Sequence, residues 1–341
     1  MSPIRSKQES KQKTSKGGTL PSVSVVICTY NPDNFLNLKD VIDSLIQQSH
    51  KVDEIIVVVD GEQMLGDKIC SKYNRRKEVK VIVTREGMGV TRARNIGIRA
   101  ATGDIIAFTD DDALTDKRWI ARLLATYQIT NAPAVGGKIL PIWLSAEPEH
   151  LPEELYWLVG VTHAGFAEEK VTEVRDAFGP NMSFKRQVFE AVGYFNERLG
   201  FDAHRTSYIQ GEEPEFGLRV KNKLGKGVIY DPEAIVYHKV SPSKLKLGNL
   251  IKRSFYQGYT KALIQKLFPL AEPLYTERLY LKFLILNSIP RRAKNIFSGP
   301  NRFNEAKQVS VLLLCVGAVG IGFIYGNCKL GVSARGNANV I

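Results

Sequence analysis

Cysteine is scarce in this sequence, and its four cysteines, Cys28, Cys70, Cys315 and Cys328, are scattered without forming a C-x-x-C pair. This spacing excludes a disulfide framework and a cysteine-based zinc site, and it suits the reducing conditions of a cytoplasm. A secretory signal peptide is also missing, because the first 18 residues are rich in Lys, Ser and Gln and poor in apolar residues. We therefore expect a disordered basic tail before the first folded element.

Motifs for binding nucleic acid are absent as well, although the formal net charge of the chain is +12. That charge favours an anionic partner, and without such motifs we assign it to a nucleotide or anionic lipid rather than to nucleic acid. The sequence has no Gly-rich phosphate-binding loop, which counts against a nucleotidyltransferase. Its hydrophobic content of 44% suits a globular core with a membrane-associated element attached.

Three consecutive aspartates, Asp110, Asp111 and Asp112, follow an apolar segment at residues 104–108, after the single residue Thr109. The segment predicts a buried strand, and three carboxylates at the end of a strand repel one another and resist burial. A divalent cation with open positions for phosphate oxygens would neutralise them, which is the usual arrangement for Mg²⁺. A solvated acidic turn explains the same residues when they are taken alone.

Residues 21–137 alternate between β-branched apolar segments and segments with the apolar spacing of a helix. The predicted strands are 22–28, 54–59, 79–83 and 104–108, and the predicted helices are 34–48 and 90–101. This alternation indicates an α/β fold whose mostly parallel sheet is covered on both faces and binds ligands at the carboxyl ends of its strands. Tyr30, Asp60 and the three aspartates lie at such ends, so we expect them to share one site.

Beyond residue 137 the alternation stops, and single motifs supply the remaining candidates. Glu212, Glu213 and Glu215 open a helix, where capping of the helix dipole explains them without any catalytic role. Arg92 and Arg94 lie near the start of the helix 90–101, where they could bind a phosphate or lie on the surface. A turn at 178–184 leads into a strand, and short strands are predicted at 228–230 and 234–238.

The C-terminal part of the sequence has the features of a membrane-bound segment. Residues 244–268 mix basic and apolar residues at helical spacing, as in a helix that lies in a membrane interface or caps the domain core. Residues 309–326 are uncharged and apolar, and at about 1.5 Å per residue they just cross a hydrocarbon core of about 30 Å. Basic residues are more frequent before this segment than after it, which predicts that the preceding domain is cytoplasmic.

A buried core helix is the alternative interpretation of the apolar segment. Ala318, Gly322 and Gly326 place small residues on one of its faces, a pattern typical of helix pairing. The sequence thus divides into a basic tail (1–20), an α/β domain (21–240), basic interface helices (241–307), a transmembrane helix (308–327) and a short tail (328–341).

Five short motifs occur in a fixed order: VVICTYN at 25–31, RN at 94–95, TDDD at 109–112, GPNMSF at 179–184 and GEE at 211–213. As a set they resemble family 2 glycosyltransferases of the GT-A fold, over roughly residues 23–238. The stretches at 151–160 and 257–262 are similar to those of a narrower archaeal group, which includes glucosyl-dolichyl phosphate glucuronosyltransferases. The resemblance implies a Rossmann-like GT-A domain that transfers a sugar from a nucleotide.

The resemblance also implies roles for individual residues. It places Thr29, Tyr30 and Asn31 in the nucleotide pocket, Asp60 at the uracil, Arg94 near the uracil or diphosphate, and Asp110 at the ribose. It makes Asp112 the main ligand of Mg²⁺ or Mn²⁺, with Asp111 assisting and Asp110 as a further ligand. It places Asn181, Met182 and Ser183 beside the donor sugar and acceptor. Glu213 or Glu212 takes the position of the catalytic base, and His238 is either a further metal or diphosphate contact or a satisfied histidine at a strand end.

The implied reaction is an inverting hexosyl transfer from a UDP-sugar, with glucuronic acid or another hexose, to a glycan on dolichyl or another polyprenyl phosphate. Such a glycan would serve protein N-glycosylation or surface glycan assembly. A carboxylate takes the proton of the attacking hydroxyl, and a cation and an arginine stabilise the leaving diphosphate. The chain lacks the Gln-x-x-Arg-Trp element of processive synthases, so we expect one sugar to be added per acceptor.

Two alternatives remain open from the sequence. A polyprenyl-phosphate monosaccharide synthase uses the bare lipid phosphate as its acceptor, so it depends less on a deprotonating base. A degenerate scaffold that binds nucleotide sugars without turnover is the non-enzymatic alternative, against which the triple aspartate and the glutamate pair both argue.

Overall fold

The computed structural model describes residues 20–167, 169–200, 209–269 and 273–336. The predicted basic tail, at 1–19, and the end of the predicted short tail, at 337–341, lie outside the described residues. The strands are β1 (Val23–Thr29), β2 (Glu54–Val59), β3 (Val79–Val83), β4 (Ile105–Asp110), β5 (Ala113–Thr115), β6 (Ala134–Trp143), β7 (Thr172–Val174), β8 (Met182–Lys185) and β9 (Val228–Val240).

The α-helices alternate with these strands in the first half of the chain and follow them in the second. They are α1 (Phe35–Ile46), α2 (Gln63–Tyr73), α3 (Val90–Ala100), α4 (Trp119–Thr130), α5 (Arg186–Val192), α6 (Glu212–Leu224), α7 (Leu247–Leu267), α8 (Tyr275–Phe283), α9 (Ile289–Ser298) and α10 (Arg302–Gly336). Short 3₁₀ helices include Glu153–Val159, Gly179–Asn181 and Pro242–Leu245, and a π-helical turn, Leu284–Ser288, joins α8 to α9.

The nine strands of the described residues belong to one sheet in the order β3-β2-β1-β4-β8-β6-β9-β5, with β7 paired to β9. Strands β1 to β4 pair in parallel, as the sequence predicted, whereas β8 runs antiparallel between β4 and β6. Strands β2 and β3 are added on one side of β1, whereas β4 is added on its other side, so a topological switch point lies between β1 and β4. Ligands of open α/β sheets bind at such a switch point. The ends of β1 and β4 carry Thr29 and Asp110.

The two short strands expected at 228–230 and 234–238 are one strand, β9, and this expectation was wrong. Asp231, Pro232 and Glu233 suggested a break because proline lacks the N–H group that a sheet ladder needs. The structure accommodates them as an irregularity, since the register of β9 against β6 shifts between Gly137 and Lys138. The continuous strand carries His238 up to the acidic end of β4.

Alternating side chains of the strands fill two apolar cores. Val25 and Ile27 of β1 face the core formed with α1, α2 and α4, whereas Val26 faces the core formed with α3, α5 and α6. A strand that is apolar on both faces is typical of a parallel sheet covered on both sides. Strands that are apolar on both faces thus predict the observed three layers, with helices packed on each side of the sheet.

The C-terminal helices form a third apolar cluster with the 3₁₀ helix Glu153–Val159. Glu154 is fully buried there, and its carboxylate accepts hydrogen bonds from Arg292 of α9, with 2.7 Å between Oε2 and Nη2. A buried carboxylate needs such a partner, because an unpaired charge in an apolar interior is strongly destabilising. The helices after residue 246 are thus joined to the α/β domain.

Helix α10 contains the helical stretch Arg302–Leu330, which is long and apolar enough to cross a membrane. It runs parallel to α7, because Phe255 contacts Gly322 and, further along both helices, Ala262 contacts Gly326. An added Cβ on Gly258 would lie 1.9 Å from the carbonyl oxygen of Val319, and an equal conflict exists between Gly322 and Phe255. The small residues at Gly322 and Gly326 therefore pair α10 with a helix of its own chain.

Candidate active site

Asp111 lies between the ends of β4 and β1. Its Oδ2 accepts hydrogen bonds from Oγ1 of Thr29 at 2.6 Å and from Nδ2 of Asn34 at 3.2 Å. Burial, with added repulsion from Asp112, raises the pKa of Asp111 to about 7. These bonds tie Asp111 to the loop after β1, so it helps to shape the predicted nucleotide pocket.

Asp112 and His238 face each other beside the pairing of β5 with β9. The register places His238 opposite Ala113, and Nε2 of His238 lies 3.2 Å from Oδ1 of Asp112. Nζ of Lys244 lies 3.3 Å from Oδ2 of the same carboxylate. Burial opposes ionisation of Asp112, but His238 and Lys244 outweigh burial and hold the pKa of Asp112 well below its usual range. Asp112 is therefore an anion at neutral pH.

Asp110, Asp112 and His238 have ligand atoms that all lie within 4.8 Å of one another. Burial raises the pKa of Asp110 in spite of the nearby Arg94, so a positive ion at this place would favour its charged form. Two carboxylates and one imidazole are a donor set that suits Mn²⁺ and also accepts Mg²⁺. A divalent cation fits these three residues. The resemblance implied Asp112 and Asp110 as ligands, and it left His238 open between a metal or diphosphate contact and a satisfied histidine.

Arg94 lies under the glutamate pair. Arg94 is 6% exposed, and Nη1 donates to Oε1 of Glu212 and to Oε1 of Glu213, each at 3.1 Å. Nη2 lies 3.7 Å from Oδ1 of Asp110. The sequence placed Arg94 near the uracil or diphosphate, whereas its observed contacts join the predicted base to the predicted metal site.

Glu212 and Glu213 differ in their access to the cavity in front of them. Oε2 of Glu212 accepts a hydrogen bond from the backbone N–H of Gly211, and this side chain is 4% exposed, against 19% for Glu213. Burial, together with Glu212, raises the pKa of Glu213 to about 8, although Arg94 acts in the opposite direction. A partly accessible carboxyl with a raised pKa is suited to proton exchange. The geometry favours Glu213 of the two.

The residues predicted for the nucleotide pocket lie together in the cavity. Tyr30, Asn31 and Asp60 border it at the ends of β1 and β2. Both oxygens of Asp60 accept hydrogen bonds, from the backbone N–H groups of Met88 and Gly89 at 2.8 Å. Asp60 thus fixes the turn before α3.

The prediction for residues 181–183 needs a correction. Asn181 is fully buried, with Oδ1 accepting from the indole of Trp119 and Nδ2 donating to two backbone carbonyls. Met182 packs in the second apolar core, and Oγ of Ser183 donates to a backbone carbonyl at 2.7 Å. All three belong to or adjoin β8, an interior strand whose two faces are covered, so none of them borders the cavity. The cavity is lined at this turn by Phe178, Gly179 and Pro180.

One cavity of about 1330 Å³ contains the metal group, Glu213 and the predicted nucleotide pocket. Sequence reasoning did not assign several residues that border it, among them Lys244, Arg175 and Thr260. Lys244 was counted among the interface helices, although a lysine shortly after the strand of His238 was a usable signal. Thr260 lies in the stretch 257–262, whose similarity to the archaeal group was a signal, whereas Arg175, directly after β7, had none.

A family model described as "Glycosyl transferase family 2" matches residues 24–193. A glucosyl-dolichyl phosphate glucuronosyltransferase of Haloferax volcanii is 34% identical over 305 residues, which cover 89% of this chain and 96% of that protein. This chain belongs to glycosyl transferase family 2. The resemblance inferred from the five ordered motifs is confirmed.

Solved structures support the fold of this family 2 glycosyltransferase. A mannosyltransferase from Pyrobaculum calidifontis in complex with GDP-Man and Mn²⁺ superposes with a TM-score of 0.55 at 16% identity, over 90% of this chain and 88% of that one. S. aureus TarS 1–349 in complex with UDP-GlcNAc gives 0.52 at 16% identity, over 92% and 91%. At this identity the likeness concerns the fold alone, and it confirms the predicted GT-A architecture.

Proposed function

We propose that this family 2 glycosyltransferase inverts the anomeric centre of a UDP-sugar as it transfers the sugar to a lipid-linked acceptor. The acceptor is a hydroxyl of a glycan carried on dolichyl or a similar polyprenyl phosphate. One observation carries the proposal. A single cavity holds Glu213 and the group Asp110, Asp112 and His238, and it extends to the apolar helix α10.

The donor is assigned to the end of the cavity formed by β1, β2 and β4. Tyr30 and Asn31 border the space for the nucleoside beside the turn that Asp60 fixes. Asp110, Asp112 and His238 would hold Mg²⁺ or Mn²⁺, and a bound cation supplies charge neutralisation for the leaving diphosphate. Asp110 also lies at the carboxyl end of β4, where the ribose is expected.

Glu213 is assigned as the base. The acceptor oxygen forms a bond to the anomeric carbon while the bond from that carbon to the diphosphate breaks, and the hydroxyl proton passes to Glu213. Attack on the face opposite the leaving group inverts the centre, so no covalent intermediate with the enzyme forms. Arg94 remains paired with Glu212, which keeps that buried carboxylate compensated.

The choice of acceptor is supported by the relative from Haloferax volcanii, which is named a glucosyl-dolichyl phosphate glucuronosyltransferase and which this chain covers almost completely. We infer glucuronic acid or a related hexose as the donor sugar and a role in building glycans for protein N-glycosylation. The apolar helix α10 supports attachment to the cell membrane, and nucleotide sugars made in the cytoplasm require the catalytic domain on that side.

The test is a transfer assay on membranes that carry the full chain. Radiolabelled UDP-sugars are supplied with glucosyl-dolichyl phosphate, with and without chelator, and label is followed in the lipid extract. We expect label that depends on the cation and that falls about 10²- to 10⁴-fold in Glu213→Gln. Glu233→Gln, a side chain that is 63% exposed and outside the cavity, is the matched control.

Two outcomes would contradict the proposal. Transfer to bare dolichyl phosphate that survives Glu213→Gln would favour the monosaccharide synthase, because a phosphate acceptor needs little deprotonation. Binding of a UDP-sugar without turnover on either acceptor would leave only the scaffold interpretation.

A further inference from the structure

The cavity in front of Glu213 extends further than a nucleotide sugar requires. Its volume of about 1330 Å³ exceeds the range of about 300–1,000 Å³ that is usual for small-molecule pockets. The part distant from β4 is bounded by α10, which contributes Val316, Val319, Gly320 and Phe323. The same cavity therefore begins at a cluster of carboxylates and ends at an apolar wall.

Between these ends α7 supplies a polar strip. Lys252, Arg253, Gln257, Thr260 and Lys261 border the cavity along this helix. Thr260 is 2% exposed, and among the described residues its hydroxyl has no hydrogen-bond partner. A buried hydroxyl without a hydrogen-bond partner is destabilising. A ligand with acceptor oxygens at this position would offset that cost.

The polar strip adjoins the catalytic segment. Nε2 of Gln257 donates to Oε1 of Gln210 at 2.7 Å, and an added Cβ on Gly211 would lie 2.6 Å from Cγ2 of Thr260. Because Gly211 directly precedes the glutamate pair, a head group at Thr260 lies next to the proposed base. The apolar wall of α10 is then on the side away from the sugar donor.

The distribution of charge also favours a lipid at this end of the molecule. Residues 241–341 contain 15 Lys and Arg against 3 Asp and Glu, so this part holds the entire formal charge of +12. A basic surface beside exposed apolar residues is typical of proteins that bind anionic lipid. On α10, Leu313, Ile321 and Ile324 are more than half exposed.

We propose that the isoprenoid chain of the acceptor enters the cavity and lies against Val316, Val319, Gly320 and Phe323 of α10. This inference rests on the proposed function, and it identifies where the lipid of that acceptor binds. The phosphate and first sugar lie along the α7 strip near Thr260, and the sugar hydroxyl reaches Glu213. α10 is then part of the acceptor site as well as an attachment to the membrane.

Two glycines of α10 provide a matched pair for the test. An added Cβ meets no atom within 4 Å at Gly317 or at Gly320, but only Gly320 borders the cavity. Gly320→Phe would fill the apolar end, whereas Gly317→Phe adds the same side chain to the same helix outside it. Melting temperature and UDP binding of the full-length variants, in detergent, verify that both are folded.

The probe is a tritiated polyprenyl phosphate with a diazirine on its third isoprene unit, and the crosslinked peptide is identified by mass spectrometry. We expect label on α10 between Val316 and Phe323, reduced at least fivefold in Gly320→Phe and within twofold of wild type in Gly317→Phe. Unlabelled polyprenyl phosphate should compete, and phosphatidylglycerol at the same concentration should not.

Equal labelling of the two variants, label confined to other helices, or equal competition by phosphatidylglycerol would overturn the inference. The last result would identify the wall as a site for bulk lipid. Wild-type protein that is labelled at α10 but transfers no sugar from any UDP-sugar would refute the proposed function and leave this lipid site standing.

Discussion

The ammonium nitrogen of Lys244 lies 3.3 Å from Oδ2 of Asp112 and 3.3 Å from Nε2 of His238. Both atoms belong to residues whose donor atoms fit a divalent cation. Lys244 therefore places a positive charge where the cation would be coordinated, and its side chain has to move when the cation binds. Lys244 therefore competes with a divalent cation for Asp112 and His238.

Replacing Lys244 should consequently strengthen metal binding. A partly exposed ion pair contributes about 0.5–1 kcal/mol, so Lys244→Met is expected to lower the dissociation constant for Mn²⁺ roughly two- to fivefold. Mn²⁺ binding is measured by electron paramagnetic resonance without substrate, which makes the readout independent of turnover. Lys246→Met removes a neighbouring lysine that does not border the cavity. Weaker Mn²⁺ binding by Lys244→Met than by this control would show that Lys244 assists the metal.

Arg94 should set the pH at which the proposed base becomes active. Glu213 must be ionised to accept a proton, so kcat/KM rises as the pH increases through the pKa of Glu213. Arg94 lowers that pKa, and its removal in Arg94→Met should shift the acidic limb of the pH profile upwards by about one unit or more. Activity at pH 7 falls as a result.

Arg92→Met is the control for Arg94, because Arg92 lies on the same helix, is 53% exposed and pairs with Glu197. Arg92→Met should leave the acidic limb of the pH profile unchanged. Melting temperatures of both variants show whether the protein still folds when Glu212 and Glu213 have lost Arg94 as a partner. An unshifted limb in folded Arg94→Met would exclude Glu213 as the group that the profile reports.

Two glycines of α7 should respond to alanine in opposite directions. A Cβ on Gly258 would lie 1.9 Å from the carbonyl oxygen of Val319, whereas at Gly248 it meets nothing within 4 Å. Gly258→Ala should destabilise the protein by about 1–3 kcal/mol because it forces α7 and α10 apart. Gly248→Ala should stabilise it by up to about 1 kcal/mol through helix propensity. Thermal unfolding in detergent measures both, and equal shifts would mean that α7 and α10 are not paired in solution.

The C-terminal end of α10 should lie on the same side of the membrane as the catalytic domain. α7 runs beside the apolar part of α10 and carries Lys261, which pairs with Glu277 at 2.7 Å. A crossing by α10 would carry these charges into the bilayer, at about 2.5–3.5 kcal/mol for each one near its centre. We therefore expect α10 to lie along one leaflet, although its length and apolar composition are those that the sequence predicted for a span.

Native cysteines report this topology. Cys70 of the catalytic domain and Cys328 near the end of α10 are both exposed. In sealed vesicles a membrane-impermeant maleimide should label both from the same side, with Cys70→Ser and Cys328→Ser identifying the bands. Labelling of Cys328 from the opposite side alone would establish that α10 crosses.

Local patterns in the sequence were sufficient for the first half of the fold. The strands predicted at 54–59 and 79–83 coincide with β2 and β3. All six residues of β2 are buried, as expected for an interior parallel strand with a short continuous apolar run. The clustering of Tyr30, Asp60 and Asp110 followed from the rule that parallel strands end at one edge. These features depend on residues close together in the chain.

Contacts between distant segments could not be obtained in this way. Lys244 reaches Asp112 only because β9 pairs with both β5 and β6, and no local pattern specifies that pairing. Asn181 was misplaced because a motif gives the position of a residue but not the direction of its side chain. The interior position of β8, between β4 and β6, decided that direction.

The close fit of α7 against α10 means that removing α10 would expose a face of α7 that is packed in the full chain. A chain ended before residue 302 would lose Val319 and Gly322 from the surface of α7, and it would lose one side of the cavity at the same time. Fusing an unrelated transmembrane helix to such a fragment would attach it to a membrane but would not restore the side of the cavity that α10 forms. In the proposed acceptor site α10 serves both attachment and choice of acceptor, so changes to this helix should alter both.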